Sequence, residues 1–122
     1  MGKILVVDDS ETMRTPLKEL LTKENHQVFE AENGEVAIEI LKKNKDIQLI
    51  FTDLHMPEMD GLCMSNLILT DNDLKNVSIV MLTTEATGDL KSKAKTIGIK
   101  GWIPKPYKNE SVLLAVKKFV KP

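Results

Sequence analysis

The sequence predicts an α/β fold, a parallel sheet covered by helices on both faces, and three observations carry that reading. Five short apolar runs each precede a longer stretch with apolar residues at helical spacing, the alternation expected of β-α units. The runs are almost continuously apolar, as strands buried on both faces are. Acids, a threonine and a lysine fall where those runs end, on the edge of a parallel sheet that holds ligand sites.

The first strand is expected over residues 4–7, followed by a helix with Met13, Leu17, Leu20 and Leu21 on one face. Pro16 lies inside that helix, where the ring removes a backbone donor at a cost of about 3 kcal/mol, so a kink or a late helix start is expected. The second strand is expected over 27–31, before a helix presenting Val36, Ala37, Ile40 and Leu41. A third strand over 48–52 leads to the least periodic helix, about 62–69. A fourth over 78–83 precedes a face of Leu90, Ala94 and Ile97. The fifth, over 101–104, precedes Val112, Leu113, Val116 and Phe119. No linker or low-complexity tract interrupts the order, so one domain over residues 1–122 is expected, with no output domain.

Hydrophobic residues make up 42% of the 122-residue chain, enough for a core without disulfides or metal staples. Cys63 is the only cysteine, and no apolar run is long enough for a signal peptide or membrane span. A cytoplasmic setting and no membrane partner are therefore expected. The net charge of −1 argues against nucleic acid as a partner. The charge is nevertheless polarised: residues 1–61 hold 13 acids and 7 bases, while 62–122 hold 5 acids and 10 bases.

Asp8 and Asp9 follow the first predicted strand, Asp53 the third and Lys105 the fifth, while Thr83 ends the fourth. One acid after a strand is ordinary turn or cap chemistry. Several converging on one pocket are not, because two carboxylates about 4 Å apart repel by about 4 kcal/mol at an effective dielectric near 20. Three carboxylates and one lysine leave a charge of −2, which a divalent cation neutralises. An all-oxygen donor set favours Mg2+ or Mn2+ over zinc. A metal among carboxylates points to phosphoryl chemistry, with Asp53 as nucleophile and Thr83 and Lys105 holding the phosphoryl oxygens.

Four stretches, Val6-Val7-Asp8-Asp9-Ser10, Asp53-Leu54-His55-Met56-Pro57-Glu58-Met59-Asp60-Gly61, Met81-Leu82-Thr83-Thr84 and Lys105-Pro106, resemble response-regulator receivers, stand-alone and of the chemotaxis (CheY-like) type. The resemblance spans the chain, including the 22-residue gap from Thr83 to Lys105. It implies a flavodoxin-like, doubly wound fold of five strands in the order 2-1-3-4-5 with five helices. Asp53 would be the phospho-acceptor in a two-component phosphorelay, and Asp9 and Asp53 direct metal ligands. Asp8 would bind the metal through water, and the main-chain carbonyl of His55 would be a further ligand, leaving its imidazole simply solvated. Such a domain is no turnover enzyme in the usual sense; it catalyses its own aspartyl phosphorylation and dephosphorylation. His55 and Glu85, two residues past the acceptor and the threonine, would line the approach of hydrolytic water.

In the resemblance, Thr83 and an aromatic residue three before the lysine form the switch. That aromatic is Trp102 here, where the family uses tyrosine or phenylalanine, and indole needs a partner for its N–H when buried. The Lys105-Pro106 bond is expected to be cis. Cys63, Met56, Met59 and Met64 are read as packing residues. The implied donor is a histidine kinase or histidine phosphotransfer protein. The implied output surface is the fourth helix, fifth strand and fifth helix, with Lys91, Lys93, Lys95, Lys100, Lys108, Lys117 and Lys118 suited to an acidic or amphipathic partner helix. A monomer is expected.

A flavin module shares the fold class, yet Asp8 and Asp9 stand where it would hold phosphate in a glycine- and hydroxyl-rich loop. A haloacid-dehalogenase-type phosphatase needs a second acid two residues past its nucleophile on the first strand, where this chain has Ser10. Two other readings are an unphosphorylated scaffold, which the complete acid, threonine and lysine set opposes, and the receiver of a longer DNA-binding regulator. Among stand-alone roles, the resemblance of the stretch from Ser10 to Arg14 to chemotaxis receivers favours chemotaxis over a phosphorelay intermediate.

Overall fold

Five strands and five helices alternate along the chain in a computed structural model that describes residues 2–85 and 87–121. They are β1 (Lys3–Val7), α1 (Glu11–Lys23), β2 (Gln27–Ala31), α2 (Gly34–Lys43), β3 (Leu49–Thr52), α3 (Gly61–Leu69), β4 (Ser78–Thr83), α4 (Gly88–Ile97), β5 (Gly101–Pro104) and α5 (Asn109–Phe119). Every neighbouring pair is parallel, in the order β2-β1-β3-β4-β5. The expected strands agree with this to within one residue, and the doubly wound order is the one the resemblance implies.

A strand's period of two sorts the core into two layers. Ile4, Val6, Leu49, Phe51, Val80 and Leu82 face α1 and α5, packing on Leu17, Leu21, Val112 and Val116. Leu5, Val7, Ile50, Ile79 and Met81 face the other way, onto Ala37, Leu41, Met64, Ile68 and Ala94 of α2, α3 and α4. The three central strands are therefore apolar except at their ends, where Lys3, Thr52, Ser78 and Thr83 stand, because both their faces are covered.

Four helices start on a side-chain cap. Ser10, Asn33, Asp60 and Thr87 accept the amide N–H of Met13, Val36, Cys63 and Leu90 respectively. Gly98, at φ +110°, ends α4 in the left-handed conformation that favours glycine.

Two local expectations are corrected. α1 does not start late at Pro16: the Ser10 cap sets its start at Glu11 and it runs to Lys23. Pro16 and Thr12, whose carbonyl lacks the Pro16 donor, are both exposed, which leaves that carbonyl open to solvent. Met13 is 42% exposed rather than buried with Leu17 and Leu21, because the first turn of α1 lies past the end of β1. In α3, buried Gly61, Met64, Ser65 and Ile68 restore a helical period that Leu67, 46% exposed, had blurred.

Candidate functional site

β1 leads out to β2 on one side, and the chain returns to β3 on the other, so strand order reverses between β1 and β3. In an open parallel sheet, the ground beyond the strands' carboxyl ends at such a reversal is where ligands bind. The Asp53 N–H donates to the Val7 carbonyl at 3.0 Å, and the Asp8 N–H to Ala31 at 3.1 Å, extending the ladder into the loops. Sheet register thus brings Asp8, Asp9 and Asp53 together, with one carboxylate oxygen from each within 4.8 Å of the others. Asp8 is buried, Asp53 half-buried and Asp9 exposed.

Lys105 answers part of that charge. Its Nζ lies 2.9 Å from Asp8 Oδ2 and 3.7 Å from Asp53 Oδ1, with the lysine side chain only 11% exposed. Its amide donates to the Thr83 carbonyl at 3.0 Å, and the Lys105-Pro106 bond is cis. Burial raises the Asp53 pKa above the ordinary carboxylate value, and repulsion from Asp8 and Asp9 adds to the rise. Attraction to Lys105 and the Leu54 N–H donated to Asp53 Oδ1 at 2.8 Å oppose it. Asp53 therefore carries its charge against a solvation cost that one lysine does not fully offset.

The loop after Asp53 is held by glycine. The Gly61 N–H donates to the Leu54 carbonyl at 2.8 Å, and a Cβ at Gly61 would stand 2.3 Å from the Asp53 carbonyl oxygen. Glu58, at φ +71°, closes a tight turn in which the Met59 N–H donates to Pro57 at 2.8 Å. Met56 and Met59 pack on the core and Met64 lies inside it, as expected of packing residues. Cys63 is exposed instead, at the groove between α3 and α4.

Thr83 ends β4, one residue beyond the level of Asp53 in the register, and accepts the Glu85 N–H on Oγ1 at 3.3 Å. Its side chain is buried. Trp102, on β5, is half-buried against the α2–α3–α4 layer, and its indole N–H donates to the Glu85 carbonyl at 3.1 Å. The partner that indole requires is thus the loop after Thr83.

One expectation for His55 is corrected. Its imidazole is not simply solvated: Nε2 pairs with the Glu85 carboxylate, which raises the His55 pKa. The pair bridges the loops after β3 and β4, although both side chains remain well exposed. Sequence reasoning placed both residues at the mouth but not in contact, because a 30-residue separation hides the pairing.

It also missed Arg14, whose Nη1 donates to the Asp8 carbonyl at 2.6 Å and whose Nε reaches Glu30 at 3.2 Å. A signal existed. A basic residue near a helix N-terminus opposes the helix dipole, so an arginine there calls for a specific anion or carbonyl partner.

The three hard oxygen donors fit Mg2+ or Mn2+ in number and chemistry. Beside them stands a charged donor, Lys105, 3.7 Å from Asp53 Oδ1, while Thr83 ends the neighbouring strand one residue beyond the level of Asp53.

Residues 4–117 match the response regulator receiver domain model. The chain is 40% identical over 106 residues to a chemotaxis protein CheY homolog of Campylobacter jejuni, covering 86% of this chain and 82% of that protein. It is 31% identical to sporulation initiation phosphotransferase F of Bacillus subtilis, covering 97% and 93%. The solved structure of chemotaxis protein CheY4 of Vibrio cholerae superposes with a TM-score of 0.91 at 30% identity, covering 98% and 99%. By the match to the family model and by the order of its sheet, this chain belongs to the response regulator receiver family, CheY-like proteins of two-component signalling.

Proposed function

We propose that the chain is a single-domain response regulator that accepts a phosphoryl group on Asp53 in a Mg2+-dependent reaction and signals by phosphorylation-dependent protein binding. The observation that carries this reading is the convergence of Asp8, Asp9 and Asp53 with Lys105 at the switch point of the sheet. Asp8, Asp9, Asp53 and the His55 main-chain carbonyl are the residues that would hold the ion, with Asp8 acting through water. Mg2+ held there would supply the positive charge that offsets the acids' repulsion of an incoming phosphoryl group. Mn2+ would serve the same donors.

In the transfer, a carboxylate oxygen of Asp53 forms a bond to phosphorus while the bond to the donor's histidine nitrogen breaks, and the electron pair leaves with that nitrogen. The Leu54 N–H fixes the Asp53 carboxylate, and Lys105 stands ready to pair with a phosphoryl oxygen. The Thr83 hydroxyl donates its O–H to another, a proton left free because its oxygen only accepts from the Glu85 N–H. Aspartyl phosphate carries about −1.5 to −2 charges and three strong acceptors, and the pull on Thr83 and Lys105 is the switching force. Trp102 follows, because the carbonyl it bonds belongs to the loop that moves with Thr83.

The phosphoryl donor in this reading is a histidine kinase or histidine phosphotransfer protein. The output surface is the face of α4, β5 and α5, where Lys91, Lys95, Lys117 and Lys118 are exposed and Leu114 is 67% exposed, a setting for an acidic, amphipathic partner helix. The chain acts as a cytoplasmic monomer comprising one domain over residues 1–122; no helix among the described residues is long and apolar enough to cross a membrane. The likeness to chemotaxis proteins favours a chemotaxis role over a phosphorelay intermediate, which the likeness to the sporulation phosphotransferase keeps as the second reading.

Intact-mass spectrometry after incubation with acetyl phosphate and Mg2+ tests the reading. The expected result is one acid-labile phosphoryl adduct, lost in Asp53→Asn and lost with chelator. A persistent adduct in Asp53→Asn contradicts the assignment.

A further inference from the structure

Arg14 is the fourth residue of α1, and its side chain is only 14% exposed. A guanidinium buried near the positive end of a helix is unfavourable unless strong acceptors meet it. Two do: Glu30 on β2, at 3.2 Å from Nε, and the Asp8 carbonyl, at 2.6 Å from Nη1. Glu30 also takes Lys18 at 3.1 Å, so α1 is tied to β2 by a second cation without Arg14. The bond that only Arg14 makes is the one to Asp8.

That carbonyl belongs to the Asp8–Asp9 peptide, so its direction sets the plane from which the Asp9 Cα departs. Asp8 itself is held at every other polar group. Its N–H donates to Ala31, Oδ1 accepts the Ser10 N–H at 3.0 Å, and Oδ2 accepts Lys105 at 2.9 Å. Asp9 differs: it is exposed, and its carboxylate makes no ion pair among the described residues, yet one of its oxygens lies within 4.8 Å of those of Asp8 and Asp53. Its aim rests on the backbone that precedes it.

We propose that Arg14 is a positioning residue for the divalent-ion site, holding the Asp8 carbonyl so that the following peptide directs the Asp9 carboxylate towards Asp53. The inference rests on the metal-binding reading above and extends it to a residue that would not touch the ion. The planar fork of arginine suits the task, because it reaches Glu30 and the Asp8 carbonyl at once, whereas an ammonium is a single point donor.

The test is Mn2+ binding to the full chain followed by electron paramagnetic resonance, with Mg2+ as competitor, in wild type, Arg14→Ala, Arg14→Lys and Glu30→Gln, with folding checked by circular dichroism. Loss of a residue that orients a metal ligand weakens binding by about 10-fold or more, and that loss is expected for Arg14→Ala. Arg14→Lys should fall between it and wild type. Glu30→Gln loosens the tie to β2 but leaves the Asp8 bond, and should bind metal as wild type does. A folded Arg14→Ala with wild-type affinity overturns the proposal, as does a Glu30→Gln loss equal to that of Arg14→Ala. If Arg14→Ala does not fold, wild-type affinity in Arg14→Lys overturns it instead. A wild type that binds neither ion fails the metal reading itself, an outcome separate from these.

Discussion

Lys105 divides its charge unequally between two acids, standing 2.9 Å from Asp8 and 3.7 Å from Asp53. Asp8 is thereby largely paired before any ligand arrives, while Asp53 keeps a charge that burial disfavours. On the function proposed above, that imbalance would suit an acceptor, because an ion completing the charge balance would also screen the acids from the phosphoryl group.

Removing the lysine leaves a buried acid without its cation. The side chains of Lys105 and Asp8 are 11% and 9% exposed, and breaking such a pair costs about 3 kcal/mol. Lys105→Met should therefore lose about that much stability in urea unfolding with chelator present, and Mg2+ should recover part of it.

The raised pKa of Asp53 fixes the sign of a pH effect. A carboxyl with a higher pKa folded than unfolded binds its proton more readily in the folded state, so its ionisation weakens the fold as pH rises through the folded pKa. In metal-free buffer Asp53→Asn should be more stable than wild type at pH 7, and the gap should close as pH falls towards 3.8, the ordinary aspartate value. Thermal melts of both proteins from pH 7 downwards read this directly.

Gly61→Ala places a methyl 2.3 Å from the Asp53 carbonyl oxygen, a distance that backbone must move to relieve. A destabilisation of about 2 kcal/mol is expected, with slower phosphorylation by acetyl phosphate because the displaced atoms belong to the acceptor residue. Equal rates in the two proteins would show that the loop accommodates the methyl without shifting Asp53.

Trp102→Phe deletes the N–H that bonds the Glu85 carbonyl and trims the half-buried indole to a phenyl ring. Stability should fall by about 1–2 kcal/mol, mostly from lost apolar packing, since the carbonyl lies in an exposed loop where water can replace the donor. Amide hydrogen exchange of the loop between β4 and α4 should speed up, and unchanged exchange would mean the indole does not restrain it.

Much of this was legible in the sequence because the central strands are buried on both faces, so their apolar runs mark both their ends and the site beyond them. Residues such as Asp8, Asp53, Thr83 and Lys105 inherit their positions from where those runs stop. What stayed hidden was set by side-chain geometry across elements. Arg14 bonds a backbone carbonyl, which leaves no residue-type signature on its partner. His55 and Glu85 meet only because β3 and β4 are neighbours in the sheet. Pro16 looked like a helix boundary because sequence shows the missing donor but not the water that exposed Thr12 and Pro16 can recruit.

The central claim, that a divalent ion at the acid cluster prepares Asp53 for modification, is tested most directly by locating the modification. After treatment with acetyl phosphate, with and without Mg2+, borohydride reduction converts an acyl phosphate to the alcohol, and peptide mapping finds the reduced residue. Homoserine at position 53, only in the sample with Mg2+, is the predicted result. Reduction at another acid, or at position 53 to the same extent without metal, would contradict it.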